Sequence, residues 1–483
     1  MPRRSDNERE RAASALTGIR SKIEAMARDQ GLDYFPVDFE LVPDTFMMEV
    51  AIYGLPVRMP HWSFGVRYIY KYVQHRMGGS RIFEVVFPGD PNRAYLQSSN
   101  TLSDNTLVTA HVLGHADFSK NNELFARMQR EVGYRIVEQA AARAHQIEDA
   151  VLEYGQSHVE RVLDAALALE QCVDVTKSLE RKDYPEYIER RDNELAPRSE
   201  FDQRFKTLPG EEESADAPAE QRIRSPVPPY PEPDLLWFIA RYAPDMEPWE
   251  RDIFLAVREE SYYFYPVFAC HIMNEGWASY WHARLLREAD FLPHQLYLDA
   301  VKAHSDVVRP FAGSDQIALR INPYHLGFKM WEQIVDEQGL DAAFRIRAEE
   351  DDFGFIRNHL GEDLVHDLDL FAHVRTHGAS GKTAVSGEER YTVVDADIHD
   401  LRETILAPKF NYGAPRVRVK EMAQDGSLTL IHDTGTDRRG LDLERAQKVL
   451  EYIQRVWRRS VRLETTDDKG APKVLEVNQG APD

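Results

Sequence analysis

The sequence predicts a mainly α-helical body followed by a small α+β domain, and three observations lead there. Apolar residues recur at helical spacing through most of the chain up to about residue 376. The last hundred residues switch to alternation at every second position, the period of a strand with one covered face. Two stretches without periodicity, one rich in Pro and Glu and one in Gly and Ser, separate the patterned segments. At roughly 100–200 residues per domain, 483 residues make about three such units. Hydrophobic residues are 43% of the chain, enough for a buried core, which excludes wholesale disorder.

The elements follow in order. Residues 6–30 read as a charged helix with Ala, Ile and Met on one stripe. Residues 62–78 read as a helix stopped by Gly78 and Gly79. The apolar run Phe83–Phe87 before Pro88 fits a strand. Ser103 and Asp104 are candidate caps for a helix through TLVTAHVLGHADF. A helical tract covers residues 122–172 without the sustained heptads of a coiled coil. Residues 207–233 are dominated by Pro, Glu, Ser and Ala and read as a mobile surface loop. Helical patterning resumes at Asp234, with Pro248 at a helix start and one long helix from Tyr265 to Ala289. Asn322-Pro323 marks a turn before a helix near HLGFKMWEQIVDEQ, and 377–390 is a second flexible stretch. PRVRVKEM, SLTLIHD and VRLETTDDKGAPKVLEVN alternate as strands, around an amphipathic helix in LDLERAQKVLEYIQRVWRRS. The expected organisation is therefore a helical body in two halves, 1–206 and 234–376, a loop at 207–233, a linker at 377–390 and a C-terminal α+β domain at 391–483.

A net charge of −22 argues against non-specific nucleic-acid binding and against anionic membranes. Two cysteines, Cys172 and Cys270, make no disulfide framework, so two thiols in a reducing compartment are expected. No apolar segment resembling a secretory signal opens the chain and no run of eighteen apolar residues occurs, so a cytoplasmic protein without a membrane span is expected.

The segment with chemistry is Thr109-Ala-His111-Val-Leu-Gly-His115. Four residues apart on a helix, two imidazoles share a face and can take two corners of a tetrahedral metal site. With seventeen histidines in the chain the spacing alone is weak, and a second pair, His373 and His377, reads as chance. Support comes from CHIMNEGWASYWHARLL, where His271, Glu275 and His282 fall on one helix face. Gly114 and Gly276, beside His115 and Glu275, would let two helices approach closely. A glutamate facing a His pair is the arrangement of the gluzincin class of zinc peptidases, so the body is expected to be zincin-like. Val112 stands where that class has its general-base glutamate. The base would have to come from elsewhere, with His282 the leading candidate and Glu259 or Glu260 behind it.

AHVLGHADFSKNN, LAVREESYYFYP, MNEGWASYWH and INPYHLGFKMWE resemble the SpoVR family, stage V sporulation protein R, over about residues 30–375, with a weaker echo beyond. The resemblance implies a role in spore cortex formation, or in stress and developmental survival where no spores form. It also implies a PrkA-type serine kinase and a von Willebrand-type protein as neighbours. By family motif His111, His115, Asn121, Asn122, Asn274, Glu275, Gly276, Trp277 and His282 match, whereas His271 and His325 are particular to this chain. His111, His115 and Glu275 are the expected ligands of a divalent metal, zinc by donor type. Asn121, Asn122 and Asn274 are candidates to orient those ligands, although Asn121 and Asn122 could equally cap the helix starting at Glu123. Asp117 points away from the His pair and reads as a cap or surface group. Tyr262, Tyr263, Phe264, Tyr265, Trp277, Tyr280 and Trp281 read as core. Two functions compete. One is a zinc-dependent amide-bond hydrolase acting on a peptide or a peptidoglycan precursor; the other is a non-catalytic scaffold whose polar cluster pins two helices while a groove binds a partner such as the kinase.

Overall fold

The computed structural model describes residues 6–64, 84–184, 188–189, 223–224, 227–308, 322–370, 372–377, 389–394, 397–437, 440–467 and 470–478. Most of the expected loop at 207–233, all but the first three residues of the expected 62–78 helix and the middle of the 377–390 stretch fall outside these residues. The chain divides into two compact units, Met1–Leu179 with Glu247–Ala414, and Glu180–Met246 with Pro415–Asp483. The division differs from the expected one in two ways: the last unit starts at Pro415 rather than at 391, and a central segment belongs to it.

The first unit opens with α1 (Asp6–Asp29), β1 (Val37–Val42), α2 (Asp44–Tyr53), β2 (Glu84–Phe87) and β3 (Asn92–Gln97). The strands form one mixed sheet in the order β1-β3-β2. In it β1 runs parallel to β3, with Val37 opposite Asn92, and β2 antiparallel, with Glu84 opposite Leu96. Helix α3 (Leu102–Asn121) follows. Its start is a capping box: Thr101 Oγ1 accepts from the Asp104 amide, and the Asp104 carboxylate accepts from the Thr101 amide. The cap is thus Thr101, and Ser103 lies inside the first turn. Ala110, Val112, Leu113, Ala116 and Phe118 are all fully buried. A helix buried on every side belongs in the middle of the body, and α3 is that helix.

The tract after it is three helices rather than one: α4 (Glu123–Val132), α5 (Ile136–Tyr154) and α6 (Gln156–Ala168). Gly133 and Gly155 part them with φ of 96° and 86°, conformations in which a side chain would be strained. The second unit then contributes β4 (Ile188–Glu189), β5 (Ile223–Arg224) and α7 (Leu235–Tyr242). The chain returns through α8 (Pro248–Ala269), α9 (His271–Arg287), α10 (His294–Val307) and α11 (Pro323–Gln338). It continues through α12 (Leu340–Glu349), α13 (Asp352–His359), α14 (Glu362–Asp367), a hairpin of β6 (Ala372–His377) and β7 (Glu389–Val394), and α15 (Ile398–Leu406).

The single helix expected over Tyr265–Ala289 is two helices broken at Cys270, whose φ of −113° and ψ of 21° leave the helical range. Pro266 offers no amide to the turn before it. The new start is stabilised from far away in sequence: buried Asp352 accepts from the amides of Ile272 and Met273, each at 2.9 Å. Helices α3, α9 and α11 pack together over Trp277, Trp281, Trp331, Phe118 and Phe355, all fully buried. Truncating such an aromatic to Ala costs about 3–5 kcal/mol.

The second unit is built on a four-stranded sheet in the order β11-β10-β9-β8, with β8 (Val417–Met422), β9 (Leu428–His432), β10 (Val461–Thr466) and β11 (Pro472–Val477). Helix α16 (Leu443–Trp457) crosses between β9 and β10, which run parallel. The outer edge of β8 is met by the central segment, through bridges Val227 to Met422 and Glu232 to Val419. Phe238 of α7 stacks on Trp457 of α16. Those contacts join the central segment to the C-terminal sheet.

Candidate functional site

Helices α3 and α9 bring the expected residues together. His111 and His115 stand one turn apart on α3, with Nε2 atoms 3.0 Å from each other. Glu275 of α9 directs Oε2 to 3.6 Å from Nε2 of His111 and 3.5 Å from Nε2 of His115. One ligand atom of each residue falls within 4.8 Å of the other two, and among the described residues this is the group able to hold a metal. Close helix packing makes this possible. A Cβ on Gly114 would stand 2.6 Å from the Cα of Ala278, so only glycine lets α3 touch α9 there. Gly276 serves a different neighbour: its Cβ would fall 2.3 Å from the carbonyl carbon of Gly327 on α11.

Burial and charge oppose each other in this cluster. Burial pushes the Glu275 carboxyl up, but the imidazoles of His115 and His111 outweigh it and hold the group well below the usual range. His115 shows the converse: burial pulls it down, and Glu275 lifts it to a net increase. Oε2 of Glu275 is buried and makes no hydrogen bond of its own. Tyr324, at the start of α11, stacks its ring on His111 at 22° and 6.1 Å between centroids. The Glu275 charge and burial push its phenol up.

The other ring nitrogens are held from behind. Nδ1 of His115 lies 2.9 Å from Oδ1 of Asn274, an oxygen that only accepts, so Nδ1 carries the hydrogen and in the neutral ring Nε2 is bare. Nδ1 of His111 lies 3.0 Å from Nδ1 of His282, and Nε2 of His282 lies 2.5 Å from Nδ1 of His304 on α10. Burial, helped by the neighbouring imidazoles, pushes His282 well below the usual imidazole range, and burial brings His304 to about 4.

Asn274 thus contacts His115 on the ring side opposite Glu275. His282, expected to take a proton, is fully buried behind His111 with both nitrogens occupied by other imidazoles. Asn122 caps α4 and donates to the carbonyls of Arg347 and Glu350, and Asn121 donates to the carbonyls of Asp33 and Asp117. Asp117 is not a surface group. It is fully buried and accepts from the Asp33 amide, the Trp277 indole and Arg347, because it must pin three distant segments at once. Glu259 and Glu260 are engaged by Arg143 and Arg58. His271 is half exposed, 3.8 Å from Glu275, and His325 contacts the Val308 carbonyl. His373 and His377 lie on β6, where four residues along an extended strand span about 13 Å rather than one helical turn. Val112 is buried among Ala94, Leu96, Val108 and Leu286, on another side of α3 from the cluster.

Three residues at the cluster escaped sequence reasoning: Glu84, Tyr324 and His304. Glu84 of β2 places Oε1 3.8 Å from Nε2 of His111, outside the three-atom group, and burial pushes its carboxyl up. It is the lone charge in the apolar run from Ile82 to Phe87, which was a legible signal.

Among the described residues no helix is long and apolar enough to cross a membrane. The chain matches the family model described as SpoVR like protein over residues 10–405, and that described as SpoVR-like C-terminal domain over 415–468. The second match begins at the residue where the C-terminal part of the second unit begins. The chain is 29% identical over 493 residues to "Uncharacterized protein YcgB" of Escherichia coli K12, covering 94% of this chain and 92% of that one. No solved structure matches. With motif, matched length and C-terminal module in agreement, the chain belongs to the SpoVR-like family.

Proposed function

We propose that this SpoVR-like protein binds a divalent metal, zinc by donor type, on His111, His115 and Glu275, and hydrolyses an amide bond in a peptide or peptidoglycan precursor. The observation that carries the reading is the donor spacing. Tetrahedral bonds of about 2.0–2.1 Å to zinc set ligand atoms about 3.3–3.4 Å apart. The two imidazole nitrogens and Glu275 Oε2 stand 3.0, 3.5 and 3.6 Å apart, with Oε2 otherwise orphaned. Nδ1 contacts from Asn274 and His282 turn both Nε2 atoms inward, as partners behind a ligand do. The His pair facing a glutamate on a second helix, beside a sheet, is also what supports a zincin-like body.

An ion held there would supply Lewis-acid polarisation of a carbonyl. The chain's own residues supply the rest. Glu84, adjacent to His111 but outside the ligand group, takes a proton from the attacking water and returns it to the leaving nitrogen as the C–N bond breaks. Tyr324 shields one face of His111. His282 positions His111.

The test is elemental analysis of untagged full-length protein. About one ion per chain is expected, lost in the His111→Ala/His115→Ala variant. Metal-free protein that is fully folded overturns the reading. The second reading, a scaffold for a PrkA-type kinase and a von Willebrand-type partner, is favoured by Val112, an apolar core residue where zinc peptidases carry their base. Metal present without any loss of cellular function in Glu84→Gln would move the scaffold to first place.

A further inference from the structure

Ser63, His61 and Asp164 lie together in the first unit and share no residue with the metal-ligand cluster. Nε2 of His61 is 3.0 Å from Oδ1 of Asp164 on α6, and Nδ1 of His61 is 2.8 Å from Oγ of Ser63. The order of these contacts sets the protons. A carboxylate only accepts, so the hydrogen of the neutral ring resides on Nε2. Nδ1 is then a bare lone pair, and the Ser63 hydroxyl is the donor to it. That is the polarity of a nucleophile, a base and the group that orients the base.

The arrangement is held firmly. The His61 side chain is 4% exposed and Asp164 16% exposed. The imidazole lies between Trp62 and Phe64, with centroids 5.3 and 5.8 Å away. Asp164 Oδ1 also accepts from the Trp62 indole at 2.8 Å, which fixes both the carboxylate and the indole. Ser63 is only half-buried, and Trp62, its neighbour in sequence, is 54% exposed. An exposed indole tied down by its own N–H presents a flat apolar surface against the His61 ring.

We propose that Ser63 is a nucleophile activated by His61 and Asp164, a second reactive centre that takes esters with an apolar or aromatic acyl group resting on Trp62. Oγ bonds to the carbonyl carbon, its proton passes to Nδ1 of His61, and the ester C–O bond breaks as the leaving oxygen receives that proton. Water then releases the acyl group by the same steps in reverse order of partners. A plain helix-start turn, with His61 merely accepting from the Ser63 amide at 3.4 Å, would need neither Asp164 nor a free hydroxyl direction.

The experiment treats full-length protein with a fluorophosphonate probe, in which Oγ bonds to phosphorus, the P–F bond breaks and fluoride leaves. Intact mass should rise by one adduct, mapped to Ser63. Ser63→Ala should abolish it with melting temperature and metal content unchanged. Asp164→Asn, which can reverse the His61 tautomer, should slow labelling by roughly 10²-fold or more at an unchanged melting temperature. No adduct at Ser63 in folded protein, or equal labelling rates in wild type and Asp164→Asn, overturns the proposal.

Discussion

Helix phase alone marks His282 as the candidate base, whereas in our proposal Glu84 takes that role and His282 positions His111. His282 shares a face with Glu275, but tertiary packing turns it toward His111 Nδ1 and His304. Glu84, on a strand 27 residues before His111 (111 − 84), lies near His111 Nε2 instead. Glu84→Gln should keep the metal and lower amide hydrolysis by about 10²–10⁴-fold, read as turnover at constant metal content. His282→Ala should weaken metal affinity by about 10–100-fold, measured by chelator competition, with partial recovery in His282→Asn. Equal affinity in His282→Ala and wild type would remove its positioning role. Installing a glutamate at Val112 should not create a base. It would bury a carboxylate among Leu96, Val108 and Leu286, so Val112→Glu should unfold the body by several kcal/mol, on the order of 3 or more, rather than add activity.

Helix packing explains why those residues converge. The sequence marked Gly114 and Gly276 as places of close approach, and both are, but their partners differ: Ala278 of α9 for one and Gly327 of α11 for the other. Gly276→Ala would drive a methyl against backbone that has no rotamer to yield, so a loss of about 3 kcal/mol or more is expected in denaturant unfolding. Gly18→Ala, where nothing lies within 4 Å, should be near neutral or slightly stabilising and serves as the comparison. The break at Cys270 belongs to this level too. Periodicity continues through it, so the pattern of apolar residues could not mark it, and the carboxylate that caps the new helix comes from Asp352.

Across the whole chain, the C-terminal sheet recruits residues far upstream. Glu232 bridges to Val419 and is clasped by Arg181, Tyr184 and the Asp234 amide. Burial alone would raise its carboxyl, but those partners bring it down from 4.5 to about 2. A depressed carboxyl stabilises the fold above its unfolded pKa and loses that contribution as pH falls through the folded value. Wild type should therefore exceed Glu232→Gln by up to about 3 kcal/mol at neutral pH, with the gap closing between pH 4.5 and 2. A fragment of 415–483 alone leaves the β8 edge without Val227 and Glu232. It should unfold at lower denaturant than one that also carries 180–246, or associate through that edge; equal stability and a monomeric state would show the central segment to be dispensable.

Local patterning was enough for the helical body, the alternating C-terminal strands, the α11 start at Asn322 and the trio His111, His115 and Glu275, because each depends on residues within a few turns or on a motif. What lay beyond it were relations between segments with no sequence spacing to reveal them. Glu84, Tyr324 and His304 reach the cluster from β2, α11 and α10. Asp117 is buried because Arg347 and Trp277 answer it. The second unit includes 180–246 because an open strand edge needs a partner. Periodicity reports which face of an element is covered, whereas a buried polar group is tolerated only where distant donors and acceptors meet it, and that is a property of the packed fold.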